Sequence, residues 1–179
     1  MLSTLSPIRN AALILAASVI PAMASPAASA AASKDAAPAN AACDGLDQGT
    51  SAWRNCLATQ ALAGDDHQLF YAGYWLAKNG RYSEALAVLA KVKTADAAVL
   101  TYRGFATRKL GKTHAAVELY EQALALEPEN AVTRSYMGEA FLTLGRRDAA
   151  KAELDHIASI CGGPACTPYR DLERAITQR

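Results

Sequence analysis

The sequence predicts an all-α protein, organised as an α-solenoid of three helical hairpins between an N-terminal and a C-terminal capping helix. Three observations lead to this fold class. The chain is rich in alanine and has only 7% aromatic residues, and no long alternation of Val, Ile and Thr indicates a strand. Pairs of glycines seven residues apart recur three times within residues 66–164. A short amphipathic segment flanks that region on each side.

The first residues have the composition of a secretion signal, which we assign to residues 1–24. Arg9 is the only charged residue there, and the apolar run that follows it is shorter than the about 20 residues of a membrane-spanning helix. Ala22 and Ala24 have the spacing that signal peptidase accepts, so we expect cleavage after Ala24. A second such site lies at residues 28–30, and an uncleaved anchor is the alternative. The expected location is therefore periplasmic or secreted.

The next segment, residues 25–42, consists almost entirely of Ala, Ser, Pro, Asn, Lys and Asp. Such a composition buries too little apolar surface to offset the entropy of ordering, so we expect a disordered tether.

The remainder of the chain is long enough for one domain with a core. Without Arg9, seventeen basic residues face seventeen acidic ones. This neutrality argues against nucleic acid or an anionic membrane as the partner.

Four cysteines follow the predicted signal, at Cys43, Cys56, Cys161 and Cys166. An even number of cysteines in an exported chain favours disulfides over free thiols. Three pairings are possible. We favour Cys43 with Cys56 and Cys161 with Cys166, because short loops close at a lower entropic cost than a loop that joins the two ends of the domain.

The glycine pairs belong to a longer repeated pattern with spacings of 31 and then 34 residues. The paired glycines are Gly73 with Gly80, Gly104 with Gly111, and Gly138 with Gly145. An alanine follows five residues after each second glycine, at Ala85, Ala116 and Ala150. Larger side chains come four residues after these alanines, at Leu89, Tyr120 and Leu154, and Val92, Ala123 and Ile157 come three residues later. Pro128 follows the second set.

This pattern resembles the tetratricopeptide repeat family, whose unit is a pair of antiparallel helices. The resemblance implies that the first glycine of each set lets the alanine-bearing helix approach closely, and that the second glycine ends the first helix. It assigns repeats to residues 66–96, 97–130 and 131–164. The first unit is three residues short, and the third lacks the acid-proline ending. Within the repeats we expect helices at residues 66–79, 82–93, 97–110, 113–126, 131–144 and 147–160.

Each end of such a stack needs a cap that covers its apolar face. We assign the N-terminal cap to residues 43–65, with a helix at 51–63 that carries Trp53, Leu57 and Leu62. The C-terminal cap lies in residues 165–179. Its helix at 168–177 places Tyr169, Leu172 and Ile176 on the inner stripe, with Arg170, Asp171, Glu173 and Arg174 outside.

In this family the first helices of the units form a concave groove that usually takes an extended peptide. The matching positions are His67, Phe70, Tyr74, Lys78, Thr101, Phe105, Arg108, Lys109, Ser135, Glu139 and Thr143. Aromatic rings beside Lys78, Arg108 and Lys109 suit a partner segment that is apolar and carries an acidic group or a free carboxylate. The alternative is that Phe70 and Phe105 pack between hairpins and the basic residues are solvated.

The sequence contains little that indicates catalysis. His67, His114 and His156 lie in separate regions without ligands at metal spacing, and no phosphate-binding, dinucleotide-binding or Gly-x-Ser-x-Gly motif occurs. We therefore expect no enzyme, metal or cofactor, but an exported scaffold that binds a protein or peptide partner and supports assembly of an envelope complex. One alternative is a thiol-disulfide protein using Cys161 and Cys166, although catalytic thiols are normally two residues apart. The other is a purely structural, self-associating module.

Overall fold

The computed structural model describes residues 43, 45–47, 49–63 and 65–178, and these contain eight α-helices, one 3-10 helix and no strand. The helices are α1 (Ser51–Ala63), α2 (Asp66–Lys78), α3 (Tyr82–Leu89), α4 (Ala97–Lys109), α5 (Thr113–Leu126), α6 (Ala131–Thr143), α7 (Arg147–Cys161) and α8 (Thr167–Thr177). The 3-10 helix is Gly163–Ala165. The predicted all-α class is confirmed. The predicted signal peptide and tether lie outside the described residues.

The helices pack in chain order as a row of three hairpins. α2 lies against α3, α4 against α5, and α6 against α7, while each hairpin also contacts the next one. α1 covers the side of α2, and α8 lies across both α6 and α7 at the other end. This nearest-neighbour packing is that of an α-solenoid. Within the described ranges, no helix is long and apolar enough to cross a membrane.

The first helix of each hairpin begins after a side chain that caps it. Asp65, Asp96 and Asn130 each accept a hydrogen bond from a backbone N–H in the first turn of α2, α4 and α6 respectively. Such a cap stabilises a helix by about 1 kcal/mol, because it satisfies a donor that has no partner within the helix. The caps recur at the same spacings of 31 and 34 residues as the glycines. They are therefore part of the repeat, although they were not predicted from the sequence.

The second glycine of each set ends the first helix, as predicted. Gly80, Gly111 and Gly145 have φ values of +78°, +83° and +73°, a left-handed conformation that costs glycine no steric penalty. The backbone N–H of the residue after each glycine closes the turn. In the first hairpin, the Arg81 N–H donates to the Leu76 carbonyl at 2.9 Å. The three turns between paired helices therefore have one shared geometry.

The first glycine of each set makes room for a large side chain of a facing helix. A methyl group on Gly73 would lie 2.5 Å from Leu89, and one on Gly104 would lie 2.5 Å from Tyr120. In the third unit the neighbour at 2.5 Å is Leu172 of the capping helix α8, not Leu154. Leu89 and Tyr120 lie on the alanine-bearing helices α3 and α5, so the predicted close approach is confirmed in the first two units; in the third unit it is wrong, because Gly138 faces α8. Ala85, Ala116 and Ala150 are nonetheless fully buried.

The second helix of the first hairpin is shorter than predicted. α3 ends at Leu89 and not at residue 93, so Val92 lies in the connection to α4. That connection is attached to the start of α2, because the Asp66 carboxylate accepts hydrogen bonds from the N–H groups of Lys93 and Thr94 at 3.0 and 3.1 Å. These bonds lower the pKa of Asp66. In the shortened first unit, the Asp66 side chain thus holds the connection that follows α3.

Both ends of the row carry a disulfide. Cys43 is joined to Cys56 and Cys161 to Cys166, with Cα atoms 5.9 and 6.0 Å apart, which is the pairing that short loops favour. Cys43 is fully buried beside Trp53, whose ring lies 5.9 Å from that of Trp75.

The caps contact the repeats through apolar side chains. At the C-terminal end Leu172 and Ile176 of α8 are buried, while Arg170, Glu173 and Arg174 are exposed. At the other end Trp53 of α1 is buried, whereas the side chains of Leu57 and Leu62 lie outside the described residues.

Candidate protein-binding face

The predicted groove residues lie on one face of α2, α4 and α6, which we call the inner face. Their burial falls into three classes. His67, Lys109 and Thr143 are exposed. The half-buried residues are Phe70, Lys78, Phe105, Arg108 and Glu139. The buried residues are Tyr74, Thr101 and Ser135.

Three of the predicted groove residues are too deeply buried to contact a partner. Tyr74 is 1% exposed, Thr101 2% and Ser135 0%. The Thr101 hydroxyl lies 2.6 Å from that of Thr133 and also donates to the Ala97 carbonyl. The first helices of neighbouring hairpins contact each other directly, so side chains at these positions are enclosed between them. As positions for direct contact with a ligand, these three predictions are wrong.

A ladder of aromatic rings runs beneath the inner face. The centroid of Phe70 lies 5.8 Å from that of Tyr102, the centroid of Tyr102 lies 6.2 Å from that of Phe105, and the centroid of Phe105 lies 5.0 Å from that of Tyr136. Edge-on and tilted pairs at such distances stabilise a structure beyond their buried area. Phe70 and Phe105 therefore pack between hairpins, as the alternative interpretation proposed, yet both keep part of the ring exposed.

Tyr102 and Tyr136, which link the ladder, were not identified from the sequence. Each lies two residues before the first glycine of its set, and Tyr71 has the same position in the first unit. All three are buried, at 6%, 2% and 2% exposure. This tyrosine-x-glycine repeat was the signal that could have identified them.

Arg108 is committed to an ion pair within the protein. Its Nη2 donates to Glu139 Oε2 at 2.6 Å, which links α4 to α6, and its side chain is only 9% exposed. Burial alone would lower the pKa of Arg108, but the nearby oxygens of Tyr120 and Glu139 raise it. Burial also raises the pKa of Tyr120. Arg108 thus stabilises the junction of two hairpins and is not free to bind a partner's carboxylate, which corrects the predicted role.

The exposed basic groups lie near the turns that join the two helices of the second and third hairpins. The Lys109 Nζ lies 5.6 Å from the centroid of Phe105, and the Arg146 guanidinium lies 4.6 Å from the centroid of Phe141. Both cations are exposed, as is Lys112. Attraction to the ring face holds a cation in place and thereby reduces the entropy that it loses on binding a ligand.

The remaining candidate residues for chemistry are dispersed. His67, His114 and His156 are exposed on three different helices, and no group of three metal-ligating side chains occurs among the described residues. The disulfide between Cys161 and Cys166 packs against the core of the third hairpin, where Cys166 is 7% exposed and Cys161 is half-buried. A buried sulfur is poorly placed for exchange with external thiols. The bridge is therefore placed to hold α8 against α7.

Comparison with known proteins identifies one repeat region. A family model described as tetratricopeptide repeat matches residues 108–160. This range begins at the end of α4 and includes α5, α6 and nearly all of α7. No curated protein matches the chain significantly.

Proposed function

We propose that this chain, which belongs to the tetratricopeptide repeat family, is an exported scaffold whose inner face binds an extended segment of a partner protein. Its proposed role is to support assembly of a complex in the cell envelope. The observation that carries the proposal is the inner face itself, which presents the partly exposed rings of Phe70 and Phe105 together with exposed His67 and Lys109. Tetratricopeptide repeats are modules for protein-protein interaction.

The chemistry of this face favours a polypeptide ligand. Rings that are anchored on one side by Tyr102 and Tyr136 offer a rigid apolar surface on the other. Aromatic anchors of this kind contribute much of the binding energy at protein interfaces, and a rigid surface loses little entropy when it binds. Apolar side chains of the partner would contact Phe70 and Phe105, and an acidic group would lie near Lys109.

The two disulfides support the proposed export. Each closes a short loop at one end of the helical row, and such bridges persist in oxidising compartments. The composition of residues 1–24 agrees with this location. We further propose that residues 66–96, 97–130 and 131–164 are the three repeats, between caps at 43–65 and 165–179.

Photo-crosslinking in the native host tests the proposed face. A photoreactive amino acid replaces His67 or Thr143 on the inner face, and Glu121 or His156 on the second helices serves as the matched control; all four positions are exposed. We expect the inner-face positions to form one discrete adduct with an envelope protein and the control positions to form none. Adducts only at the control positions would overturn the assignment of the inner face.

A further inference from the structure

A row of cations follows the three turns that join the helices of each hairpin. Arg81, Lys112 and Arg146 directly follow the left-handed glycines. They share one backbone conformation, with φ between −86° and −88° and ψ between 57° and 64°. The repeat therefore places one basic side chain at the same position in every unit. We call the surface formed by these turns, together with Lys109, the basic edge.

In the second and third units, the cations of the basic edge have no acidic partner in the described part of the chain. Among the residues that the structure describes, no carboxylate lies within ion-pair distance of Lys109, Lys112 or Arg146. In the first unit, by contrast, Arg81 is paired with Glu84.

Asp148 is also near the edge, but its closest cation is Lys151 at 4.0 Å. Lys109, Lys112 and Arg146 thus place exposed positive charge at the end of α4 and at the starts of α5 and α7.

We propose that the basic edge binds an acidic segment of the partner protein, next to the segment that occupies the inner face. This inference rests on the proposed function and moves the site for the partner's carboxylates from Arg108, which Glu139 already neutralises, to Lys109, Lys112 and Arg146. The partner segment would place carboxylates opposite these cations and apolar side chains against the exposed part of Phe105.

The charge distribution favours a polypeptide over other anions. The formal net charge of the whole chain is only +1, whereas polynucleotides and anionic membranes are bound through many cations. A few cations beside aromatic rings instead match a segment that combines carboxylates with apolar side chains.

Fluorescence anisotropy with a labelled peptide in which glutamate alternates with leucine tests this inference. The variant carries Lys109→Glu, Lys112→Glu and Arg146→Glu. We expect it to bind about tenfold or more weakly than the original chain, and we expect binding by the original chain to weaken as NaCl rises from about 50 to about 300 mM.

The matched control changes three exposed cations away from the edge, with Arg54→Glu, Lys91→Glu and Arg174→Glu, and so has the same net charge. We expect its affinity to change by less than about twofold. Equal losses in both triple variants, or no saturable binding by the original chain, would overturn the inference. Tighter binding to phosphatidylglycerol vesicles or to single-stranded DNA than to the peptide would also overturn it.

Failure here is distinguishable from failure of the proposed function. If inner-face crosslinks to a partner survive in the edge variant and the peptide affinity is unchanged, the scaffold function holds and the basic edge has no part in it. If no partner crosslinks to the inner face, the scaffold proposal fails whatever the peptide affinity is.

Discussion

Replacing Gly104 with alanine tests how the hairpins pack. Alanine in the middle of a helix is normally more stable than glycine by about 1 kcal/mol. Here the new methyl group would lie 2.5 Å from one ring carbon of Tyr120 and 2.8 Å from another. Tyr120 is fully buried and stacks on Tyr136 with centroids 6.4 Å apart, so its ring has little room to move.

Overpacking of this kind costs about 1–3 kcal/mol, so we expect Gly104→Ala to lower the free energy of unfolding by about 1 kcal/mol net. The control is the same substitution in a Tyr120→Val background, where the ring is absent. There we expect Gly104→Ala to stabilise the protein by about 1 kcal/mol, as ordinary helix propensity predicts. Urea denaturation followed by circular dichroism measures both values. Stabilisation in both backgrounds would refute the close contact between Gly104 and Tyr120.

Three further predictions concern stability. Arg108→Leu should cost about 3 kcal/mol by removing the guanidinium that neutralises Glu139 between α4 and α6, and the added Glu139→Leu should recover most of the loss in the same denaturation assay. Backbone N–H groups lower the pKa of Asp66, so its contribution to stability is complete above the ordinary Asp pKa and is lost as pH falls through the lowered value. Below that lowered pKa we expect faster amide exchange at residues 93–94, and we expect this pH-dependent change to be absent in Asp66→Asn. Leu172→Ala should cost about 2–5 kcal/mol and release α8, visible as lost amide protection there.

Features that depend on local conformation could be predicted from the sequence. The left-handed turns at Gly80, Gly111 and Gly145 follow from the steric freedom of glycine alone, and their spacing identified the hairpins. The predicted helix bounds agree with the observed ones within a few residues wherever a cap or a turn glycine specifies them. α3 was the exception, since its end depends on the contact between Asp66 and the following connection, which lies 27 residues away in the sequence.

Features that depend on the neighbouring hairpin could not be predicted from a single unit. The repeat pattern predicts the position of Thr101 on α4, but its burial results from contact with Thr133 on α6. Arg108 appeared available as a binding residue because the sequence does not show that Glu139 lies beside it. The insertion of Leu172 at Gly138 likewise depends on how α8 folds back across α6.

Amide hydrogen exchange of the full chain, alone and bound to its crosslinked and purified partner, tests the central claim most directly. Binding on the inner face should slow exchange in α2, α4 and α6, and the proposed basic edge adds slower exchange at the turns before α5 and α7. The second helices α3, α5 and α7 should otherwise exchange as they do in the free protein. Protection confined to those second helices, with α2, α4 and α6 unchanged, would contradict the account.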